Sequence, residues 1–300
     1  MLVLEGMDGK VAIVTGAGQG LGQAEARELA GQGVRVIVND FAPPGAANPA
    51  DGTVDEIKAA GGEATAHLGD VSDWETAKAM VQLAIDTYGS LDILVNNAGV
   101  LRDRMLFNMS EEEWDMVIRV HLKGHFAPMR HAGSYWRDKS KASEGAPVYG
   151  RIVNTSSEAG LMGSAGQPNY STAKGGIIQL TLVAANGLGR YGVNANAIAP
   201  RARTQMTEQL GGFDATDGDF EVFAVDNVSP LVAFLGSPQA AKVSGQLFIV
   251  WGRQISVVAG PSVDTAFDTP EKWTPDNVSE ALVPFYEGRT PIADGATFKH

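Results

Sequence analysis

The sequence predicts an α/β fold, a doubly wound parallel sheet in a single domain, followed by a C-terminal extension. Two observations predict it. Short apolar runs alternate with segments of helical period along most of the chain, which is typical of parallel strands covered by helices on both faces. The first apolar run, Val11–Val14, leads directly into a series of spaced glycines and then a helix. A buried strand, a glycine turn and a helix in that order indicate a nucleotide-binding sheet.

The glycine turn is the expected site for the phosphates of a dinucleotide. Glycines stand at positions 16, 18, 20 and 22. The unsatisfied N–H groups and the dipole of the following helix favour an anion, and the missing side chains let phosphates approach the backbone. This arrangement is that of a Rossmann fold, and a glycine-rich turn without a ligand is the alternative. The candidate cofactor-binding residues of the turn are Gly16, Gln19, Gly20, Leu21 and Gly22.

The remaining elements follow from the same periodicity. Strands are predicted at Val11–Thr15, Arg35–Asn39, Ala64–Leu68, Leu91–Asn96, Gly150–Thr155, Val193–Ile198 and Gln246–Val250. Helices are predicted at about 23–32, 52–60, 73–88, 110–136, 169–190 and 227–236. Asp73 is the predicted N-cap of the third helix, and Ser110 with Glu113 forms a capping box at the fourth.

Several segments interrupt this alternation. Phe41–Pro49 is predicted to be a loop, Arg137–Pro147 an exposed polar insertion, and Gly211–Asn227 a mobile lid over a substrate. We expect residues 1–259 to form the Rossmann domain and residues 260–300, which are rich in proline, to form an extension. A helix is predicted within the extension, near Asp276–Phe285.

Composition excludes several classes of protein. The chain has 300 residues, of which 44% are hydrophobic and 19% charged, and it contains no cysteine. Disulfides, Cys-ligated zinc and thiol catalysis are therefore excluded, and the composition fits a reducing, cytoplasmic environment. A net charge of −12 argues against nucleic acid as a partner. No apolar segment reaches the length of a membrane span, and no signal peptide is expected at Met1.

Asp40 ends the second predicted strand, 18 residues beyond Gly22. A carboxylate at this position can accept hydrogen bonds from the adenosine ribose hydroxyls and repels a 2′-phosphate. No Lys or Arg occupies the glycine turn. These residues predict NAD rather than NADP as the cofactor, and a solvated strand-end carboxylate is the alternative.

Tyr170 and Lys174 are the strongest candidates for acid–base chemistry. At a spacing of four residues they lie on one face of the helix that begins after Pro168. A free phenol is a poor base at neutral pH, and we expect a neighbouring ammonium to lower its pKa. Ser157 ends the fifth strand and can bond the reacting oxygen, with Ser156 as a competitor for that role.

Polar residues also follow the third and fourth strands. Asp70 and the run Asn96–Gly99 lie where a nucleotide would cross the carboxyl edge of the sheet, although Asp and Asn also favour turns for local reasons. His121 and His125 are four residues apart, but neither a third ligand nor a His-Glu-x-x-His pattern accompanies them. We therefore expect no metal site.

Together these motifs resemble those of the short-chain dehydrogenase/reductase family. The resemblance runs from about residue 8 to residue 252 and rests on Thr15–Gly22, on Asn96–Gly99, and on Ser157 with Tyr170 and Lys174. It implies oxidation of a secondary alcohol with a nicotinamide cofactor. The site residues that it implies are Ser157, Tyr170, Lys174 and His121 for catalysis and Asp70, Val71, Asn97, Ala98, Gly99, Tyr170, Lys174, Pro200 and Thr204 for the cofactor.

A narrower resemblance is to the (3R)-hydroxyacyl-CoA dehydrogenase domains of peroxisomal multifunctional enzymes of type 2, also called 17β-hydroxysteroid dehydrogenases type 4. It rests on Val38–Asp40, Leu101–Arg104, Arg119–Gly124, Gly166–Tyr170 and the pairs Ala199–Pro200 and Met206–Thr207. His121 stands where most of the wider family has an Asn in a proton relay, and Arg201 stands where it usually has Gly.

These resemblances imply an NAD-dependent enzyme that interconverts a 3-hydroxyacyl-CoA and a 3-oxoacyl-CoA. The alternatives are an NAD(P)H-dependent 3-oxoacyl thioester reductase, a steroid or sugar alcohol dehydrogenase, and a nucleotide-binding regulator without catalysis. The family also implies a homodimer or homotetramer. A CoA phosphate would need a basic patch, for which the candidates are Arg102, Arg104, Arg201 and Arg203.

Overall fold

The computed structural model describes residues 3–204 and 215–289, and its centre is one eight-stranded sheet. The order across the sheet is β10-β9-β6-β5-β4-β1-β2-β3, and only β10 runs antiparallel to its neighbour. A small hairpin, β7 with β8, lies apart from it. The strands are β1 Val11–Thr15, β2 Arg35–Asp40, β3 Ala64–Leu68, β4 Ile93–Asn96, β5 Gly150–Thr155, β6 Val193–Pro200, β7 Thr216–Asp217, β8 Phe220–Glu221, β9 Leu247–Trp251 and β10 Gln254–Val257.

Helices cover both faces of the sheet. The α-helices are α1 Gly20–Gly31, α2 Ala50–Ala59, α3 Trp74–Tyr88, α4 Glu111–Val117, α5 Gly124–Ala142, α6 Ala159–Met162, α7 Pro168–Leu188, α8 Ser229–Gly236 and α9 Pro275–Tyr286. A π-helical turn, Ile118–Lys123, joins α4 to α5. Single 3₁₀ turns occupy Leu106–Asn108, Gly189–Tyr191, Val225–Asn227 and Pro238–Ala240.

The strands β1, β4 and β9 are almost continuous apolar runs because both faces of the sheet are buried there. In β1, Ala12 and Val14 pack into one core with residues of α1, α2 and α8. Val11 and Ile13 point the other way, into a second core with residues of α3, α5 and α7. These strand residues have no exposed surface. The doubly wound parallel sheet predicted from the sequence is therefore confirmed.

The strand order places a crevice at the carboxyl ends of β1 and β4. The chain runs from β1 to β2 and β3 on one side and then returns to β4 on the other side of β1. Connections that leave in opposite directions open a crevice between them, where ligands of such sheets bind. The loops after β1, β4, β5 and β6, which carry the candidate site residues, all meet at this edge.

The predicted caps are confirmed. The Asp73 carboxylate accepts a hydrogen bond from Thr76 N at 2.8 Å. The Ser110 hydroxyl accepts from Glu113 N at 3.2 Å, and the Glu113 carboxylate accepts from Ser110 N at 3.0 Å. Each cap satisfies amide groups that have no partner inside the helix.

Two of the differences between the predicted and the observed elements have identifiable reasons. The insertion predicted at 137–147 is helical as far as Ala142, because the polar segment contains good helix formers and Ser140 is buried, with its hydroxyl donating to Ala146 O at 2.8 Å. Strand β10 was missed because it is only four residues long, with Ile255 and Val257 exposed. It pairs with β9 across a two-residue turn in which Gly252 has a φ of +52°.

Beyond β10 the chain has no regular structure until α9, the helix predicted in the extension. None of the residues of α9 is buried. Part of the predicted lid, residues 211–214, lies outside the described residues, and the remainder forms the β7–β8 hairpin and a 3₁₀ turn. In the described part of the chain, no helix has both the length and the apolar character that crossing a bilayer requires.

Candidate active site

The glycine turn after β1 gives α1 an open N-terminus. The α1 helix begins at Gly20, earlier than predicted, and the preceding residue, Gln19, makes no side-chain capping bond. Gly16 and Gly20 have φ values of +61° and +59°, which favour glycine. A Cβ on Gly20 would have no neighbour closer than 3.8 Å. The first-turn amides are thus left to an anionic ligand such as a pyrophosphate.

The predicted cofactor residues line two adjoining cavities at the carboxyl edge of the sheet. A cavity of about 250 Å³ is lined by Gly16, Gln19, Gly20, Leu21, Asp40, Asn97, Ala98, Gly99, His121, Tyr170, Lys174, Pro200 and Thr204, together with others. A second, of about 360 Å³, includes Asp70 and Val71 and shares Gly16, Asp40, Ala98 and Gly99 with the first.

Gly22 is the exception among the predicted cofactor residues. It lies inside α1 and lines neither cavity. A Cβ on Gly22 would come within 2.4 Å of Gly16 O and 2.5 Å of Asn97 Nδ2. Its small size therefore serves the close packing of α1 against the two loops rather than contact with a ligand.

Asp40 faces the glycine turn at the far end of the cavity. One carboxylate oxygen accepts a hydrogen bond from Gly18 N at 2.7 Å, and the other accepts from Phe41 N at 2.7 Å. The backbone thus fixes the carboxylate where it lines both cavities.

Asp70 is held in a small polar cluster at the second cavity. Ser72 donates to its carboxylate from both N and Oγ, at 2.8 and 2.6 Å, and the Arg119 guanidinium forms an ion pair with it. Partial burial opposes ionisation of Asp70, but the Ser72 hydrogen bonds and Arg119 outweigh it and lower the pKa.

The loop after β4 is fastened to the glycine turn. The Asn97 amide donates to Thr15 O and Gly16 O, both at 3.1 Å, while Asn97 N donates to Thr15 Oγ at 3.0 Å. These bonds set the distance between the two loops that border the crevice.

Tyr170 and Lys174 lie on α7, beside each other, as the spacing predicts. The Lys174 ammonium is 5.4 Å from the centroid of the Tyr170 ring and donates to Thr155 O at 2.6 Å. Burial lowers the pKa of Lys174 to about 7. Burial also raises the pKa of Tyr170 to about 12, against a hydrogen bond with Ser157 that lowers it. The expected lowering of the phenol pKa is therefore not found, because desolvation outweighs the favourable contacts.

The two candidate serines have different partners. The Ser156 hydroxyl is buried and donates to Lys174 O at 2.9 Å. The Ser157 hydroxyl accepts a hydrogen bond from Ala159 N at 3.2 Å, and it lies close enough to the Tyr170 phenol to favour the ionised form. Ser156 lines the cavity and Ser157 does not, but it is Ser157 that lowers the pKa of the Tyr170 phenol.

His121 lies behind Tyr170, where the π-helical turn directs it inward. Its ring packs edge-on against Tyr170 with centroids 5.2 Å apart. Nε2 lies 3.0 Å from Val100 N and 2.8 Å from Val100 O, whereas Nδ1 is buried with no partner among the described residues. Burial and the Lys174 charge hold the pKa of His121 well below its usual value. The ring is therefore neutral at physiological pH.

Asn169 is a residue that the sequence reasoning missed. Its side chain is fully buried, and its amide donates to Arg102 O at 2.9 Å and to Glu113 O at 3.0 Å. Its carbonyl oxygen accepts from Tyr170 N at 2.7 Å. One side chain thus joins the loop after β4, helix α4 and the start of α7. Only its position before Tyr170 could have signalled this role.

The predicted basic patch is largely neutralised. Arg201 pairs with Glu158, Arg203 with Glu221 and Arg104 with Glu113. Arg102 lines the second cavity, and its guanidinium donates to Leu101 O at 2.6 Å. The described residues contain no group of three or more His, Asp or Glu side chains arranged to hold a metal ion.

The residues present fit a nicotinamide dinucleotide. The open helix N-terminus suits a pyrophosphate, Asp40 suits a ribose diol, and the end of the cavity next to Tyr170 carries a buried His121 Nδ1 without a partner among the described residues. The cavity joins these three places, as a dinucleotide would require.

Comparison with known proteins identifies the family. Residues 10–213 match the family model described as short chain dehydrogenase. Hydroxyacyl-CoA dehydrogenase ChsB1 of Mycobacterium tuberculosis is 51% identical over 292 residues, which cover 95% of this chain and 91% of that protein. Peroxisomal multifunctional enzyme type 2 of Mus musculus is 40% identical over 81% of this chain, and the match spans 32% of that longer enzyme.

A solved structure gives the same result. The crystal structure of a short chain dehydrogenase from Mycobacterium avium superposes with a TM-score of 0.85 at 48% identity, covering 96% of this chain and 98% of that one. Members of this family bind NAD or NADP. The sheet, the glycine turn and the Ser157–Tyr170–Lys174 group, taken with these matches, show that this chain belongs to the short-chain dehydrogenase family and is an oxidoreductase of that type.

Proposed function

We propose that this chain is an NAD-dependent dehydrogenase that interconverts a 3-hydroxyacyl-CoA and a 3-oxoacyl-CoA. The observation that carries the proposal is one cavity with Asp40 at one end and Tyr170, Lys174 and His121 at the other. The substrate class is supported by the similarity to a hydroxyacyl-CoA dehydrogenase over almost the whole length of both chains.

In the proposed reaction Tyr170 removes the proton from the substrate hydroxyl, and Ser157 bonds the reacting oxygen. A bound nicotinamide would supply the acceptor for the hydride of the carbinol carbon. The phenolate of Tyr170 needs a compensating positive charge, and the protonated form of Lys174 supplies it 5.4 Å from the ring centroid. His121 packs edge-on against the phenol ring, and its neutral imidazole would be the group through which a proton passes on.

The preference for NAD over NADP rests on Asp40. Its carboxylate is fixed by two backbone N–H groups, so it cannot turn away from a ribose bound in the cavity. It would accept hydrogen bonds from a ribose diol, whereas a 2′-phosphate would meet an uncompensated negative charge.

The test is an assay of NAD reduction, followed by absorbance, with 3-hydroxyacyl-CoAs of increasing chain length. Steroid and sugar alcohols are assayed in parallel, and NADP replaces NAD in a matched series. The proposal predicts the highest kcat/KM for an acyl-CoA with NAD. A higher value for a steroid or sugar alcohol, or for NADPH-driven reduction of a 3-oxoacyl thioester, would favour one of the alternatives. Inactivity with every substrate would favour a nucleotide-binding regulator.

We further propose that the chain forms a homodimer or homotetramer. The support is the family resemblance and the exposure of apolar side chains on the outer faces of two long helices, Phe126 on α5 and Val183 on α7. Light scattering coupled to gel filtration tests this proposal, and a mass of 31.5 kDa, that of one chain, would contradict it.

A further inference from the structure

A buried ion pair joins the two loops on either side of the reacting end of the cavity. Arg201 Nε donates to Glu158 Oε2 at 2.6 Å, and Nη2 donates to Oε1 at 2.7 Å. The two side chains are only 14% and 6% exposed. Such a two-pronged contact fixes both the distance and the orientation of the groups that it joins.

The positions of the two residues give this pair its significance. Glu158 directly follows Ser157, the residue whose hydroxyl favours ionisation of the Tyr170 phenol. Arg201 directly follows Pro200, and the cavity is lined by Pro200, Ala202 and Thr204 but not by Arg201. In the segment after β6, Pro200, Ala202 and Thr204 therefore line the cavity, and Arg201 faces the loop after β5.

Both ends of the pair are anchored. Arg201 N donates to Val250 O at 3.0 Å, and the guanidinium lies 5.0 Å from the ring centroid of Trp251, which is itself stacked on Phe223. On the other side Glu158 O accepts from Leu161 N and Met162 N, at 2.9 and 3.0 Å. The ion pair thus couples strand β9 and the segment after β6 to the short helix α6.

We propose that the Arg201–Glu158 pair is a positioning device, which holds the wall formed by residues 200–204 at a fixed distance from Ser157 and Tyr170. Neither side chain needs to touch the substrate. Their function is to fix the distance between the wall that would contact the cofactor and the acid–base residues. A misplacement of about 1 Å between reacting groups can lower the rate by about 10²-fold. This inference rests on the proposed dehydrogenase activity.

The test compares Arg201→Lys, Glu158→Gln and the double variant Glu158→Gln/Arg201→Gln with the wild type. Lysine keeps the positive charge but cannot donate two parallel hydrogen bonds to the Glu158 carboxylate. We therefore expect Arg201→Lys to fold, with the distance between the two loops less tightly fixed. We expect kcat to fall by about 10–100-fold with KM changed by less than about threefold. The double variant should lose no more than Glu158→Gln, because that single change already removes the ion pair. Arg27→Lys, in an exposed ion pair with Glu56 at 3.4 Å, is the matched control.

Hydrogen exchange supplies a readout that does not depend on turnover. Peptides covering residues 156–162 and 199–204 should exchange faster in Arg201→Lys and Glu158→Gln, while peptides of β1–β3 exchange as in the wild type. The proposal is overturned if kcat stays within twofold of the wild type, or if activity falls only in proportion to the loss of folded protein with no local change in exchange. A wild type that is inactive with every alcohol would instead refute the proposed function, and the exchange experiment would still decide whether the pair couples the loops.

Discussion

Tyr170 and Lys174 are buried together, and desolvation favours the neutral form of each. Burial brings the pKa of Lys174 down to about 7 and takes that of Tyr170 up to about 12. At neutral pH the phenol is therefore protonated in the resting site, and its ionisation during turnover depends on the positive charge of a protonated Lys174 beside it. The chemistry of the site depends on the two groups as a pair rather than on a phenol that is acidic by itself.

The residue with the largest expected effect on turnover is Tyr170. Removing its hydroxyl in Tyr170→Phe removes general acid–base catalysis, so we expect kcat to fall by about 10²–10⁴-fold. The dissociation constant for NAD, measured by calorimetric titration, should change by less than about threefold, since the ring remains. Tyr135→Phe, on α5 and away from the cavity, is the control. Unchanged turnover in Tyr170→Phe would refute the assignment.

The adjacent serines allow a matched comparison. Ser157→Ala removes the partner of the Tyr170 phenol, and we expect a loss of about 10²-fold in kcat with little change in Tm. Ser156→Ala removes a buried hydrogen bond to Lys174 O, so its main effect should be a loss of about 1–2 kcal/mol in the free energy of unfolding. Kinetics and urea unfolding of both variants measure these effects. The reverse pattern would exchange the two roles.

At the scale of single elements, α1 carries an unusual buried carboxyl group, Glu25. Glu25 has no exposed surface, and neither carboxylate oxygen has a hydrogen-bond partner among the described residues. Burial raises its pKa from 4.5 to about 8. The folded state then binds a proton that the unfolded state releases between pH 4.5 and 8. Stability is therefore highest below this window and falls as the pH rises through it.

The variant Glu25→Gln should remove this dependence. Glutamine does not ionise, so the variant should match the wild type near pH 5 and exceed its free energy of unfolding by about 3–5 kcal/mol at pH 9, at 1.4 kcal/mol per pKa unit. Urea unfolding at pH 5, 7 and 9 measures the difference. Glu28→Gln, one turn on and partly exposed, should show no such trend. Parallel curves for Glu25→Gln and the wild type would contradict the prediction.

The contact between α6 and α7 depends on Gly160. A Cβ at this position would lie 2.6 Å from both Lys174 C and Gly175 N, which are backbone atoms that cannot turn aside. Gly160→Ala should therefore push α6 away from α7 and lower Tm by several degrees. The value of kcat should also fall, because Ser157 and Lys174 move apart. Gly187→Ala, where a Cβ meets nothing within 4 Å, should raise Tm slightly. Thermal unfolding and kcat of both variants test this, and a wild-type kcat in Gly160→Ala would contradict it.

The sequence predicts those elements whose pattern has one physical cause. Strand β1 is buried on both faces and apolar from Val11 to Val14, and its bounds, like those of β3 and β5, are as predicted. Caps are also local, and Asp73 and Ser110 could be assigned from their neighbours alone. The C-terminal end of α5 and the existence of β10 depend on tertiary contacts, which no local pattern encodes. These contacts are the hydrogen bond from Ser140 and the pairing of β10 with β9.

The distinction between local sequence patterns and tertiary contacts also applies to the candidate active site. The glycine turn, Asp40, Tyr170 and Lys174 could be found because their chemistry requires fixed residue types at fixed spacings. Asn169, Glu158 and Arg201 act by joining segments that are distant in the sequence, so their roles emerge only from the fold. The direction of the Tyr170 pKa shift was missed for a similar reason, since burial is a property of the whole structure.

At the scale of the whole molecule, the described part of the extension, residues 260–289, contains no buried residue. Helix α9 has no buried residue, and apolar side chains such as Val283 and Tyr286 are more than half exposed. A chain of residues 1–259 should therefore fold with a Tm within about 3 °C of the full chain, since little apolar surface is lost from the core. Circular dichroism measures Tm. A much larger decrease would show that the extension contributes to folding, and light scattering would tell whether it does so through a second copy.

The buried amide of Asn169 has a consequence for how the site responds to its substrate. Hydrogen bonds join this one side chain to Arg102 O, Glu113 O and Tyr170 N. The loop after β4, helix α4 and the start of α7 are therefore held to one another. A molecule that displaces the loop around Arg102, which lines the second cavity, would therefore strain the hydrogen bonds that hold the start of α7 and Tyr170. The loop around Arg102 and the phenol of Tyr170 are coupled in this way. A poorly fitting molecule beside Arg102 would therefore misplace the acid–base group, which lies 68 residues further along the chain.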